Sequence, residues 1–270
     1  MGTNEAERRR WNDEGWAAAW PRRERLTGQV TPYLLGALTL QPGETVLDVG
    51  CGGGRAALAA AGLVGTEGTV VGADLSRPML AHAERRATDS GAANVSFVPA
   101  DMQVDRVGAG HFDVAMSQFG VMFFDEPVAA FANIAGHLRP GGRIGFACWQ
   151  PMAANPWFSG AVLAPFAPAA PAPPPGKSAS GPFTLGDPAH VARVLDAAGW
   201  SDVSRSAYEL VIEAPEDAVF DDAQLQMTGV PDDRRDEALQ AVECHLSRFR
   251  QPGGLCRFPL AFQVFTAHRR

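Results

Sequence analysis

The sequence predicts an α/β fold built on one mostly parallel β-sheet. Between residues 44 and 148, short apolar runs rich in β-branched residues alternate with stretches of helical periodicity, which is typical of βαβ units. Glycine or polar residues separate the runs from the stretches that follow them, as turns between such elements require. The chain has 270 residues, 46% of them hydrophobic, which suffices for one sizeable core. We therefore expect a single domain over residues 1–270.

Residues 1–39 are predicted to form a helical cap that precedes the sheet. An apolar residue recurs every four positions along the second half of this segment, which indicates a helix with one buried face. That stripe consists of Leu26, Val30, Leu34 and Leu38. Three tryptophans come before it, and they can pack on the sheet edge or cover a pocket: Trp11, Trp16 and Trp20.

Five strands are predicted within residues 40–149, the core of the sheet. They are TVLDV (45–49), GTVVGAD (68–74), VSFVPA (95–100), FDVAMSQ (112–118) and RIGFACW (143–149). Two later runs, residues 202–213 and 258–267, have strand-like composition and extend the same sheet. The prediction is thus seven strands.

Several helices between the strands carry start and stop signals. Ser76, Asp125 and Asp187 each stand where a short polar side chain can accept a hydrogen bond from a first-turn amide. The helix that begins at Asp125 is expected to end at the Arg-Pro-Gly-Gly turn of residues 139–142.

Residues 150–270 divide into two predicted parts, the second of which contains an insertion. Residues 150–185 form a loop or lid, because their segment 164–182 is rich in proline and alanine and has no periodic pattern. Residues 186–270 complete the sheet. Within them, about residues 215–252 read as a helical insertion before the last strand, which can cover the active face.

Composition excludes several classes of partner. The formal net charge is −7, so the chain lacks the basic surface that neutralises nucleic-acid phosphates. The four cysteines show no CxxC pair or metal-ligand spacing, which argues against structural zinc and disulfides. No run reaches membrane-spanning length, and the charged N-terminus does not resemble a signal peptide. We expect no metal, no membrane partner and a cytoplasmic protein.

The stretch VLDVGCGGGRAAL, residues 46–58, marks the expected ligand site. It places four glycines in the first turn between strand and helix, where open α/β sheets bind ligands. Glycines let a ligand touch the main chain, and the amides at a helix N-terminus favour negative charge. Nicotinamide enzymes use a GxGxxG turn, but Arg55 stands where their third glycine would be. The pattern present is DxGxGxG.

This pattern, Asp48 followed by Gly50, Gly52 and Gly54, resembles the first motif of class I S-adenosylmethionine-dependent methyltransferases. The string from Ser117 to Trp157 resembles the type-11, UbiE-like branch that methylates small molecules. The resemblance is strong over about residues 40–160. It implies a Rossmann-like methyltransferase fold and S-adenosylmethionine as cofactor, with S-adenosylhomocysteine as product.

The resemblance also implies roles for particular residues. Asp74 would accept hydrogen bonds from the two ribose hydroxyls, and Asp101 would accept one from the adenine amino group. Ser117 and Gln118 would lie beside the methionine part of the cofactor, and relatives often have arginine where Gln118 stands. The full implied cofactor set is Asp48, Gly50, Cys51, Gly52, Asp74, Leu75, Met79, Asp101, Met102, Ser117 and Gln118.

The predicted reaction is transfer of the sulfonium methyl group to a nucleophilic atom of a small, apolar or aromatic acceptor, such as a secondary metabolite or quinone-like molecule. Holding the acceptor and methyl in line can supply much of the rate enhancement, so a catalytic base is optional. His245 in the insertion is the histidine expected to come nearest the pocket. Two alternatives stay open: a protein that binds the cofactor without transferring methyl, and a nicotinamide-dependent oxidoreductase.

Overall fold

The computed structural model describes residues 4–108, 111–168 and 181–270. The strands are β1 (Thr45–Val49), β2 (Thr69–Asp74), β3 (Val95–Pro99), β4 (Phe112–Gln118), β5 (Leu138–Trp149), β6 (Trp200–Ala214) and β7 (Cys256–Arg269). The helices are α1 (Glu5–Trp11), α2 (Glu14–Thr27), α3 (Thr31–Leu38), α4 (Arg55–Val64), α5 (Arg77–Ser90), α6 (Pro127–His137), α7 (Gly160–Leu163), α8 (Pro188–Ala197), α9 (Asp222–Met227) and α10 (Arg235–Ser247).

The seven strands form one sheet in the order β3-β2-β1-β4-β5-β7-β6. Strands β1 to β5 run parallel, whereas β7 pairs antiparallel with both β5 and β6. The order of strands reverses between β1 and β4, which makes this the switch point beside which such sheets bind ligands. The prediction of seven mostly parallel strands is confirmed.

Strand β5 begins earlier than predicted. Residues 139–142, expected to be a turn that ends the preceding helix, lie inside β5, which starts at Leu138. Phe112 of β4 pairs with Leu138, and the register shifts directly afterwards. An irregularity of this kind accommodates extra residues within a strand. Helix α6 consequently ends at His137.

The predicted helix starts are correct at two positions and wrong at one. The side chains of Ser76 and Asp187 accept hydrogen bonds from first-turn amides of α5 and α8. At α6 the N-cap is Glu126, which makes no side-chain cap bond. Asp125 instead faces Asn4: its amide donates to Asn4 Oδ1 (3.0 Å), and its carboxylate accepts from the Asn4 amide (3.3 Å). A long-range contact has replaced the local cap.

The N-terminal helices lie across the carboxyl edge of the sheet. Asn12 donates to the carbonyl of Leu75 after β2 (3.1 Å), and Gln118 at the end of β4 donates to the carbonyl of Thr27 (2.9 Å). Helix α2 therefore crosses this edge from β2 towards β4. The predicted apolar stripe is buried as expected: Leu26, Val30, Leu34 and Leu38.

The helical insertion between β6 and β7 packs against α2. It contains α9, α10 and two short 3-10 turns, and its predicted anchors Leu225, Val242 and Leu246 are buried. Residues 169–180 of the proline-rich segment lie outside the described residues, so a lid over residues 150–185 stays a prediction. None of the helices in the described part of the chain is both long and apolar enough to cross a bilayer.

Candidate active site

A cavity of about 390 Å³ opens at the carboxyl edge of the sheet, within the size range of small-molecule sites. Its floor comes from the turns after β1, β2, β3 and β4, and its roof comes from α2 and the insertion. Eight of the eleven predicted cofactor residues line it: Gly50, Gly52, Asp74, Leu75, Met79, Asp101, Met102 and Gln118.

The turn after β1 can be built only from glycine at its key positions. Gly50 and Gly54 have φ of +67° and +79°, in the left-handed region that other residues avoid. A Cβ on Gly50 would lie 2.8 Å from the Cα of Gly120, and one on Gly54 would lie 2.8 Å from the Cβ of Ala83. Glycine is therefore required at these positions because neighbouring parts of the protein approach them closely. It also leaves the main chain accessible to a ligand.

Asp74, at the end of β2, braces this turn. One carboxylate oxygen accepts from the Gly52 amide (2.8 Å), and the other accepts from the Ser76 amide (2.8 Å). Each oxygen keeps a second lone pair that can accept from a ligand hydroxyl. Burial raises the pKa of Asp74, although these backbone hydrogen bonds oppose the shift.

Asp101, after β3, is buried beneath the N-terminal residues. Its Oδ1 accepts from the side-chain amide of Asn4 (2.8 Å) and from the backbone amide of Gln103 (3.0 Å). The Arg8 guanidinium lies 4.0 Å from Oδ2. The N-terminal segment therefore forms part of the wall at this end of the cavity.

Asp48 is buried behind the glycine turn and does not line the cavity. Neither carboxylate oxygen makes a hydrogen bond of normal geometry within the described residues, although the Ala57 amide favours the ionised form. Burial, together with repulsion from Asp74, raises the pKa of Asp48 to about 8. The folded protein thus holds a largely protonated carboxyl at neutral pH.

We expect Asp48→Asn to reduce the pH dependence of stability. Because the pKa rises from 3.8 to about 8 on folding, the folded chain holds a proton that the unfolded chain has released. The stabilisation is fully present below about pH 4 and is lost as the pH rises through about 8. Thermal unfolding across this range should show the parent protein losing stability relative to the variant. Parallel curves would contradict the shift.

Cys51 and Ser117 also do not line the cavity, and both have structural contacts. Ser117 Oγ donates to the Val49 carbonyl (2.7 Å) and accepts from the Val121 amide (3.2 Å). These bonds join the ends of β1 and β4. The Cys51 thiol is buried, which raises its pKa well above the ordinary value and makes it a poor nucleophile.

Gln118 lines the cavity, but both of its amide atoms are engaged. Its Oε1 accepts from the Thr31 hydroxyl (2.8 Å), and its Nε2 donates to the Thr27 carbonyl (2.9 Å). In this arrangement Gln118 fastens the junction of α2 and α3 to the end of β4. The predicted contact with the methionine part of the cofactor would require these bonds to break.

Aromatic rings line the part of the cavity beyond the glycine turn. Phe119 and Trp149 stack with centroids 4.1 Å apart, and Trp157 meets Trp149 edge-on at 5.5 Å. Phe119 adopts φ of +65°, an unusual conformation for a bulky residue. The three tryptophans of the predicted N-terminal cap, Trp11, Trp16 and Trp20, line the cavity. The other aromatic residues in its wall are Phe119, Phe123, Phe124, Trp149, Trp157 and Phe158, and Met122 lies among them.

No histidine lines the cavity within the described residues. His245 lies on α10, where its ring contacts the Arg248 guanidinium (3.2 Å) and Phe249. His137 accepts from the Val107 amide through Nε2 (3.0 Å), and its Nδ1 lies 2.8 Å from the Asn133 carbonyl. The structure therefore does not support His245 as a base that reaches the pocket.

The residues present fit the cofactor that the sequence resemblance implies. An indole N–H of Trp20 stands beside the glycine turn, since a Cβ on Gly53 would lie 3.0 Å from it. This nitrogen is buried and has no acceptor among the described residues, so it can donate to a carboxylate. Asp74 and Asp101 stand farther along the same rim, as a nucleoside would need.

Comparison with known proteins gives the same assignment. Residues 46–142 match a family model described as a methyltransferase domain. The chain is 36% identical over 194 residues to nocamycin O-methyltransferase of Saccharothrix syringae, a match that covers 69% of each protein. It is 37% identical over 106 residues to the ubiquinone/menaquinone biosynthesis C-methyltransferase UbiE of Ectopseudomonas mendocina, covering 39% of this chain and 41% of that protein.

A solved structure supports the fold. The YcgJ protein of Bacillus subtilis superposes with a TM-score of 0.61 at 16% sequence identity, covering 90% of this chain and 99% of the other. The family match includes the DxGxGxG turn, whose spacing differs from that of nicotinamide enzymes. The oxidoreductase alternative is therefore not supported. Sequence, fold and relatives agree that this chain belongs to the S-adenosylmethionine-dependent methyltransferases.

Proposed function

We propose that the protein methylates a small acceptor with an apolar or aromatic ring, such as a secondary metabolite or a quinone-like molecule. The aromatic wall beside the glycine turn, formed by Phe119, Trp149, Trp157 and Phe158, carries this proposal. Flat rings stack favourably on such side chains. The names of two relatives, a nocamycin O-methyltransferase and a ubiquinone/menaquinone biosynthesis C-methyltransferase, support an acceptor of this kind.

We further propose how this chain holds S-adenosylmethionine. The amides of the glycine turn and the Trp20 indole would bind the amino-acid part, while Asp74 would bind the ribose and Asp101 the adenine. Leu75, Met79 and Met102 would pack against the nucleoside. The cofactor supplies a methyl group on a positively charged sulfur, which is open to displacement by a nucleophile.

The chain's contribution to the reaction is positioning and exclusion of water. Asp74 and Asp101 are the acids of the described cavity lining, and both are already bonded to backbone amides. No residue there is placed as an evident general base. Holding the acceptor in line with the methyl group, and removing its hydration shell, can account for most of the acceleration.

The experiment is a methyl-transfer assay with hydroxylated naphthalenes, their quinols and small polar amines or acids as acceptors. We expect turnover with ring acceptors.

Trp149→Ala should raise the acceptor KM about tenfold, because a buried ring contact of about 1.5 kcal/mol is lost. The affinity for S-adenosylhomocysteine should not change. Trp149→Phe, the matched control, should stay close to the parent protein. Preference for small polar acceptors would contradict the proposal, and cofactor binding without any methylated product would favour a non-transferring role.

We also propose a cytoplasmic location. All four cysteines are free thiols, as expected in a reducing compartment. Cell fractionation would test this, and recovery outside the cytoplasm would contradict it.

A further inference from the structure

Arg23 of α2 is a buried cation in the wall of the cavity. Its side chain is 9% exposed, and its guanidinium lies 3.7 Å from the ring centroid of Trp16. Arg10 also lines the cavity, but it is more exposed and pairs with Glu7 at 2.9 Å. Arg23 is therefore the more deeply buried of the two arginines in the cavity wall.

The charge of Arg23 is only partly matched. Its Nη2 donates to the carboxylate of Asp221, and the neighbouring Arg22 lies 3.4 Å from the other oxygen of that same carboxylate. Asp221 also accepts from the Gln224 amide at the start of α9 (3.0 Å). The second terminal nitrogen of Arg23, Nη1, is buried and has no partner among the described residues. The Asp221 carboxylate thus serves two guanidinium groups and a helix cap, although Arg22 also lies 3.7 Å from a second carboxylate, that of Asp217.

Arg23 cannot avoid carrying this partly matched charge by losing its proton, because an arginine stays protonated under ordinary conditions. Burial lowers the pKa of Arg23, more than the attraction of Asp221 raises it, which means that its charged form is poorly solvated. A buried donor without an acceptor lowers the stability of the folded protein. An anion in the cavity that came within hydrogen-bond distance of Nη1 would remove this penalty.

A second observation indicates what kind of ligand fits. Three indole nitrogens in the cavity wall, those of Trp16, Trp20 and Trp157, are buried without an acceptor in the described part of the chain. All three can only donate. Together with Arg23 Nη1 they form a lining with an excess of N–H donors, which suits a ligand that presents oxygen acceptors on an apolar frame.

We propose that Arg23 is an anion-binding residue of this cavity, in addition to the amides of the glycine turn and the Trp20 indole, and that it takes a carboxylate or an equivalent anionic oxygen. Within the proposed function, on which this inference rests, two ligands offer that group. One is the amino-acid end of the cofactor, and the other is an acidic aromatic acceptor such as a hydroxyaryl carboxylate. The chemistry at Arg23 is the same for both.

Two matched ligand pairs test the proposal by calorimetry at neutral pH. The first pair is S-adenosylhomocysteine and 5′-methylthioadenosine, which lacks the whole amino-acid part, both its carboxylate and its ammonium group. The second pair is 1-hydroxy-2-naphthoate and its neutral carboxamide. Arg23→Met should weaken only the carboxylate member of a pair, by about tenfold or more, as expected for a charged hydrogen bond. The pair that responds identifies the source of the anion.

Asp221→Asn is the control that separates ligand binding from structure. Asparagine caps a helix as well as aspartate does, so α9 keeps its start while Arg23 loses its counter-charge. The responding carboxylate ligand should then bind several-fold more tightly than to the parent protein. A purely structural ion pair would instead make both variants behave alike.

The proposal is overturned if Arg23→Met weakens both members of each pair equally or neither, or if Asp221→Asn also weakens the carboxylate ligand. Arg23→Lys, which keeps the charge, provides a second variant should Arg23→Met fail to fold, and it should retain part of the preference. Absence of any nucleoside binding by the parent protein would count against the proposed function alone, because the naphthoate pair still tests Arg23.

Discussion

Gly50→Ala should cause a large loss of stability and of cofactor affinity. Alanine in a left-handed conformation costs about 1–2 kcal/mol. Its Cβ would also stand 2.8 Å from the Cα of Gly120, a backbone atom that cannot rotate away. We expect a total loss of about 3 kcal/mol or more in the free energy of unfolding, measured by denaturant titration.

Gly91→Ala is the matched control for this prediction. Gly91 ends α5 with φ of +68°, against +67° for Gly50, and a Cβ there would meet no atom within 4 Å. It should therefore show only the conformational cost of about 1–2 kcal/mol and normal affinity for S-adenosylhomocysteine. Equal losses in the two variants would show that the close approach of Gly50 to Gly120 is unimportant.

Asp74→Ala should abolish recognition of the ribose. Two hydrogen bonds to a charged group, each worth about 1.5–3 kcal/mol, would be lost, so affinity for S-adenosylhomocysteine should fall by well over tenfold. The Ala variant also removes the acceptors of the Gly52 and Ser76 amides, so a loss of affinity alone could come from a disordered turn.

A comparison of ligands separates these two causes. The parent protein should prefer 5′-methylthioadenosine over its 2′-deoxy analogue, and Asp74→Ala should bind both equally. Asp74→Asn keeps one acceptor oxygen, so its preference for the ligand with the 2′-hydroxyl should lie between that of the parent protein and that of Asp74→Ala. If the preference for the 2′-hydroxyl survives in Asp74→Ala, Asp74 only braces the turn and the ribose assignment is wrong.

The local elements of this fold were predictable because their signals are short in sequence. All seven strands coincide with apolar, β-branched runs, and Ser76 caps α5 as its position indicates. Asp125 stands at the same kind of position before a helix, but its carboxylate accepts a hydrogen bond from Asn4, 121 residues away, and does not cap the helix. The early start of β5 likewise depends on pairing with β4. Errors arose where a long-range partner outcompeted a local one.

The candidate site likewise contains residues that a local sequence pattern predicts and residues that depend on long-range packing. The glycine turn, Asp74 and Asp101 follow directly from strand ends and line the cavity. Arg23 and Phe123 were missed, because they reach the cavity only through the packing of α2 across the sheet edge and through the 3-10 turn after β4. Gln118 was foreseen at the cavity, but its engagement with Thr27 and Thr31 depends on where α2 ends. Sequence spacing carries no information about that crossing.

The distribution of tryptophan has a practical consequence. Five of the six tryptophans, all except Trp200, contribute to the cavity wall, while Trp200 is buried with its N–H bonded to the Phe131 carbonyl (3.1 Å). Five of the six indoles that contribute to the intrinsic fluorescence therefore lie where molecules enter and leave. Occupancy of the cavity can be followed in real time without a dye, a label or an engineered probe.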